Sequence, residues 1–222
     1  MSSQAQAPSD LGDIYSSYVE RRYSAITIRR LVNALEVEKD RLEVWRHPLG
    51  FAHAELTPFV GAPVGERFRL HFWLDDNGVS DALGDLHEHT WHLTSLVLAG
   101  EVIDSNLVAT PSLVGEYLGS RIEYGPNNIA HKVGRFSLHV SEVRKIKKGA
   151  IYQIPSRTVH LNKVGMIPTV TLVRSIEDRR GDGPLVLSRG DAGQGFATGR
   201  RELIPTAHAL HALSKACSGV MD

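Results

Sequence analysis

The residues with the clearest chemical potential are three histidines. His87 and His89 stand two apart in Asp85-Leu-His-Glu-His-Thr-Trp-His-Leu93. On an extended segment that spacing turns both imidazoles to one face. Imidazole is the commonest protein ligand for a transition metal, so the pair makes half of a metal site. His160, in Gly149-Ala-Ile-Tyr-Gln-Ile-Pro155-Ser-Arg-Thr-Val-His160, is the candidate third ligand from a remote strand. The plainer alternative is a set of polar histidines hydrogen-bonded to one another. Three imidazoles leave a divalent ion its full double charge, which one carboxylate would halve. Such a centre attracts anionic groups and keeps octahedral positions open for substrate and dioxygen. By ligand type alone Fe(II), Mn, Ni, Cu or Zn is suitable, and zinc on three histidines also supports hydrolysis or hydration.

At these two segments the chain resembles the cupin superfamily. His87, His89 and Gly100 fall at the spacing of the first cupin motif, with Leu93 at its Glu position. Gly149, Pro155 and His160 fit the second motif, with Arg157 where Gly is usual and Val164 where Asn is usual. The resemblance covers roughly residues 66–175. With the Glu ligand missing, the chain is similar to the three-histidine thiol dioxygenases of the cysteine dioxygenase type. That resemblance implies a double-stranded β-helix, or jelly roll, with His87, His89 and His160 as ligands. It also implies Fe(II), with Mn, Ni or Zn as alternatives, and dioxygen as co-substrate. The main substrate is then small and anionic, amino-acid-like or thiol-like. The family's Ser-x-His-x-Tyr run is absent, since the matching stretch is Thr171 to Ser175. Residues 51–60 hold no arginine for a substrate carboxylate. The metal cage therefore carries over better than the substrate pocket, and cysteine itself is a doubtful substrate. A non-redox isomerase, lyase or hydrolase, or a cupin that binds without turnover, is the alternative.

Around the three ligands the sequence offers further candidates. Arg69, His71 and Trp73 alternate in Arg67-Phe-Arg-Leu-His-Phe-Trp73 and share one face. Arg69, Arg157 and Trp73 are candidates for holding substrate, and Tyr152, His71 and His92 for proton transfer or orientation. For His92 an outward-facing side chain is the favoured reading, ahead of a donor behind the ligands or a replacement ligand. His131 and His139 read as structural.

The elements that must position these groups follow from composition and periodicity. The chain has 222 residues, 42% of them hydrophobic, enough for one good core with extensions. Its 25 basic and 25 acidic residues cancel, which argues against nucleic acid or an anionic membrane as partner. A single cysteine, Cys217, forbids an intrachain disulfide and suits a reducing compartment. No apolar run reaches membrane-spanning length, and the N-terminus lacks the order of a secretory signal, so a cytoplasmic protein is expected. A homodimer is compatible with open sheet edges.

Residues 1–10 read as a disordered arm and 11–48 as a helical extension, from apolar residues at spacings of three and four. Residues 51–176 break into ten short β-prone runs, among them 51–60, 67–75, 86–90, 93–99 and 102–109. This texture predicts an all-β jelly-roll barrel. Residues 177–222 read as a Gly-rich loop followed by a short helix over 203–218, with His208 and His211 exposed. Arg189-Gly-Asp191 and the glycines 193, 195 and 199 have no setting that gives them a function.

Overall fold

The computed structural model describes residues 10–47, 50–73, 86–124, 129–178, 182–189 and 202–218. The arm expected over 1–10 and much of the Gly-rich stretch lie outside the described residues. Helix α1 (Asp10–Val19) is followed by a 3-10 turn at Tyr23–Ala25 and helix α2 (Ile28–Val37). Next come β1 (Val44–Arg46), β2 (Ala52–Glu55), the short helix α3 (Thr57–Val60) and β3 (Glu66–Trp73). The site-bearing part comprises β4 (Leu86–His87), β5 (Trp91–Pro111), β6 (Tyr117–Glu123), β7 (Ile129–Lys147), β8 (Ile151–Ile154) and β9 (Val159–Glu177). Strands β10 (Leu185–Arg189) and β11 (Glu202–Ile204) and helix α4 (Thr206–Ser218) complete the chain.

The chain folds as an all-β jelly roll with helices on one outer face. Every strand pairing is antiparallel. Two long strands, β5 and β9, run through both sheets. In one sheet their outer halves lie between β3 and β8. In the other, the first half of β9 lies between β4 and the second half of β5, which continues to β7. The crossing point in β5 is Gly100, where φ is +74° and the register with β9 shifts. A Cβ there would collide with the Thr169 side chain and the Pro168 carbonyl, so only glycine lets the strands pass this closely. The runs expected separately over 93–99 and 102–109 are thus one strand bent at a glycine.

Strands β10 and β6 extend the second sheet until β10 meets β4, closing a ring of β4, β9, β5, β7, β6 and β10. Its inner side is apolar, with Val159, Leu185 and Leu187 buried against Leu86, Leu107, Phe136 and Leu138. Closure removes the exposed edges that a short strand such as β4 would otherwise present. The other face of the first sheet carries the main core. Phe68, Leu70, Leu96 and Leu172 are buried there against Leu11, Ile14, Tyr18, Leu31, Leu35 and Leu213 from the helices. These helical residues recur at three and four, as an amphipathic helix requires. Thr27 caps α2 by accepting from the Arg30 N–H at 3.1 Å. Tyr18 fixes α1 on the sheet, its hydroxyl donating to the Thr94 carbonyl at 2.7 Å.

Several elements differ from the sequence expectation. Residues 57–60 are helical, because Pro58 removes a backbone donor and sits in a first turn, where none is needed. Val44–Arg46 is a strand inside the stretch expected to be helical, and Leu185–Arg189 and Glu202–Ile204 are strands where a loop was expected. All three are short, and their pairing partners are distant in sequence for β10 and β11. His208 and His211 are exposed on α4 as expected. Among the described residues, no helix is long and apolar enough to cross a membrane.

Glu66 ties β3 to β9 and to α1. Arg174 donates to its two carboxylate oxygens at 2.7 Å each, and Tyr15 donates at 2.8 Å. The Arg174 hydrogen bonds hold the Glu66 carboxyl below its ordinary range, against the effect of burial. A depressed folded pKa contributes stability above the unfolded pKa, and that contribution disappears as pH falls through the folded value. Glu66→Gln is therefore expected to cost about 1 kcal/mol at pH 7 and far less near pH 3, read as urea midpoints of both proteins at each pH.

Candidate metal centre

Strand register brings the three predicted ligands together. His87 on β4 is the direct Cα partner of His160 on β9, and Asn106 on β5 flanks His160 on the other side. His89 lies two residues beyond His87 and turns to the same side. The ligand nitrogens of His87, His89 and His160 all lie within 4.8 Å of one another. Ring centroids are separated by 4.6 Å for His87–His89, 4.8 Å for His87–His160 and 4.9 Å for His89–His160. The Nε2 atoms of His89 and His160 are 3.0 Å apart. Two nitrogens bound at right angles to one ion, each at about 2.1 Å, stand about 3.0 Å apart. This donor set fits a divalent transition metal.

Two of the three rings are backed by a neighbouring side chain. The Nδ1 of His160 points at Asp104 Oδ1 across 3.5 Å, slightly long for a hydrogen bond, and both side chains are almost wholly buried. Arg144 holds the other Asp104 oxygen. Burial alone would raise the Asp104 pKa, but the interactions with His160 and Arg144 outweigh it and hold the carboxyl low. An anionic partner at Nδ1 keeps the proton there and leaves Nε2 facing the other histidines. Trp91 stacks on His89 with centroids 4.9 Å apart and planes 21° from parallel. Burial inside the barrel drives the His89 pKa well below the ordinary histidine value, and the charges of His87, His160, His71 and His47 add to it. A neutral imidazole is the form that ligates a metal.

Glu88, between the two ligands, points to the opposite face. It is 4% exposed and carries Arg121 and Arg157, the latter at 3.1 Å. Both guanidinium groups also donate to the Gly183 carbonyl, at 3.0 and 3.3 Å. The backbone N–H of Arg157 donates to the His89 carbonyl at 2.8 Å. Arg157 therefore clamps the His87–His89 segment from the chain approaching His160, and its φ of +65° sets it in that position.

The remaining sequence candidates divide. Arg69, His71 and Trp73 share the inner face of β3, opposite Thr169, Thr171 and Val173 of β9. Arg69 is engaged with Glu55 at 2.9 Å. Burial pushes the His71 pKa well below its ordinary value, with Arg69, His53 and His47 contributing. Trp73 is buried. Tyr152 is buried beside Ile154 and Val97, and burial pushes its hydroxyl pKa to about 12. Arg157 is drawn to Glu88, on the face away from the triad. His92 is exposed, and its Nδ1 accepts from the Ser156 N–H at 3.2 Å. His131 is also exposed, paired with Glu123 at 2.9 Å.

Asp104, Glu88, Arg121 and Trp91 escaped the sequence reading. Glu88 had a visible signal: strand alternation places a charge between two same-face ligands on the other side of the sheet, where burial demands a counter-charge. Asp104 had only its position as an acid within the β-prone run 102–109.

No protein-family model matches the chain, and no curated protein sequence matches it. Partial likenesses exist among solved structures. The oxalate decarboxylase of Lactobacillus farciminis, in a formate complex, aligns with a TM-score of 0.35 at 11% identity, covering 62% of this chain and 31% of that one. Hydroxypropylphosphonic acid epoxidase from S. wedmorenis aligns with a TM-score of 0.37 at 11% identity, covering 62% and 56%. A DMSP lyase structure aligns with a TM-score of 0.38 at 17% identity, covering 71% and 68%. The chain thus spans about a third of the decarboxylase and just over half of the epoxidase.

Asp104→Asn should weaken metal binding about 10- to 100-fold, measured by competition with a chromogenic chelator. Glu88→Gln should lower unfolding free energy by about 2 kcal/mol, since it removes the charge opposing two partly exposed arginines. Urea denaturation of the metal-free protein reads that loss directly.

Proposed function

We propose that this protein is a cupin-type mononuclear metalloenzyme, a non-haem Fe(II) oxygenase that joins dioxygen to a small organic substrate. The observation that carries the reading is the convergence of three imidazoles, without a carboxylate among them, within 4.8 Å. His87, His89 and His160 hold the ion. Ferrous iron, when bound, supplies a cationic centre at which substrate heteroatoms and dioxygen meet and exchange electrons.

The chain's own groups have separate tasks. Asp104 keeps the His160 proton on Nδ1, and Trp91 fixes the plane of His89. His71, held neutral by burial, is able to exchange a hydrogen bond with substrate at the inner face of β3. Tyr152 keeps its proton at neutral pH, with a pKa of about 12, so it acts as a hydrogen-bond donor and not as a base. Trp73 and the buried side chains around Val97 and Ile154 exclude water.

The same three neutral nitrogens also suit a second reading, in which the ion acts only as a Lewis acid in a lyase, isomerase or hydrolase. Oxygen consumption separates the two. Protein reconstituted anaerobically with Fe(II) should consume oxygen above the no-substrate rate when given a panel of small phenols, thiols and amino acids. His160→Ala should lose most of its bound iron and all of that uptake. Uptake that never exceeds the control, with iron fully bound, would rule out the oxygenase and leave the Lewis-acid reading.

A further inference from the structure

A second group of rings occupies the inner face beside the triad. Between β1 and β2, His47 N–H donates to the Phe51 carbonyl at 2.7 Å, and Gly50 N–H donates to the His47 carbonyl at 2.9 Å. Gly50 takes a φ of +84°, which a glycine accepts without strain. His47 lies flat on Phe51, with centroids 4.3 Å apart and planes 9° from parallel. Phe51 in turn lies 4.8 Å from His71 and 5.3 Å from Trp73. His53 stands edge-on to His47 and His71, at 5.8 and 6.3 Å. Trp73 and His53 are buried, whereas His47, Phe51 and His71 are half-buried. Two enclosed rings therefore back three rings that keep open surface. His71 and His47 are also close enough to His89 for their charges to act on it.

The charge arrangement narrows what this wall accepts. Its arginine, Arg69, is matched by Glu55 at 2.9 Å. Arg157 is committed to Glu88. Arg69 is thus neutralised on the wall itself, and Arg157, which shares Glu88 with Arg121, is held on the face away from the triad. A small amino acid or thiol would leave the ring faces uncovered. A planar ring instead covers those faces in offset-stacked or edge-to-face contacts. Its hydroxyl groups exchange hydrogen bonds with imidazole nitrogens, which serve as donor or acceptor by tautomer.

Resting on the metal-centre reading above, we infer that the substrate is a hydroxy-aromatic compound. Its ring lies against Phe51 and His71, and its hydroxyl oxygen points to the His87–His89–His160 triad. Phe51 is then a specificity-determining residue, in contact with substrate but not with the ion.

Binding without turnover tests this. Protein loaded with redox-inert Zn(II) is titrated calorimetrically with catechol and with cysteine, and metal-free protein with phenol, which has the ring without the chelating pair. Zinc content is measured on every sample. Catechol should bind at least about tenfold more tightly than cysteine, and Phe51→Leu should weaken catechol about tenfold with zinc content unchanged. Leucine keeps an apolar side chain of similar bulk, so unfolding does not mimic the effect. Tighter binding of cysteine, or catechol binding indifferent to Phe51→Leu while zinc is retained, would overturn the aromatic-substrate inference alone. Phenol binding that depends on Phe51 in protein unable to retain zinc would support the aromatic wall and refute the metal centre.

Discussion

The register of one short antiparallel pair governs this molecule. His87 and His160 face each other across β4 and β9, and a slip of β4 by one residue would send the His87 ring into the apolar side of the sheet. Strand β4 has two residues and could not hold that register alone. It is held because β4 is the closing strand of a six-strand ring, caught between β9 and β10. The Arg157 backbone and the Glu88–Arg121–Arg157 group reinforce it from the other face. Ligand geometry is thus a property of barrel closure and not of a flexible loop.

Charge is distributed with the same logic. The side of the sheet that holds the triad carries imidazoles, and burial holds His89 and His71 neutral. The formal charges near the centre sit in paired groups: Asp104 with Arg144, Glu55 with Arg69, and Glu88 shared by Arg121 and Arg157. Unmatched buried charge is costly, and each pairing confines its field to a short range. A cation drawn to three neutral nitrogens keeps its own charge for whatever binds beside it.

The sequence disclosed those features that depend on local spacing. Period-two alternation revealed that His87 and His89 share a face, and that Arg69, His71 and Trp73 do as well. Pro155 and Gly149 punctuate the approach to His160, so the remote ligand could be picked out. The jelly roll followed from many short β-prone runs, although 93–99 and 102–109 read as two runs and are one strand bent at Gly100. Features that depend on distant partners stayed hidden. Strands β10 and β11 acquire their identity from β4, β6 and β1. Arg157 reads as a substrate group until Glu88 is seen beside it. The ring cluster of His47, Phe51 and His53 needs the pairing of β1 with β2 to assemble, and nothing in its spacing suggests a common purpose.

The central claim is that one divalent ion sits on three imidazoles with no other protein donor. X-ray absorption spectroscopy of the Fe(II)-reconstituted protein examines that claim most directly. The account predicts one iron per chain and an imidazole scattering pattern from three rings, with the remaining shell made of light solvent atoms. That pattern should fall to two rings when His87 is replaced by alanine. A sulfur shell, a single imidazole, or a spectrum identical to that of iron free in buffer would contradict it.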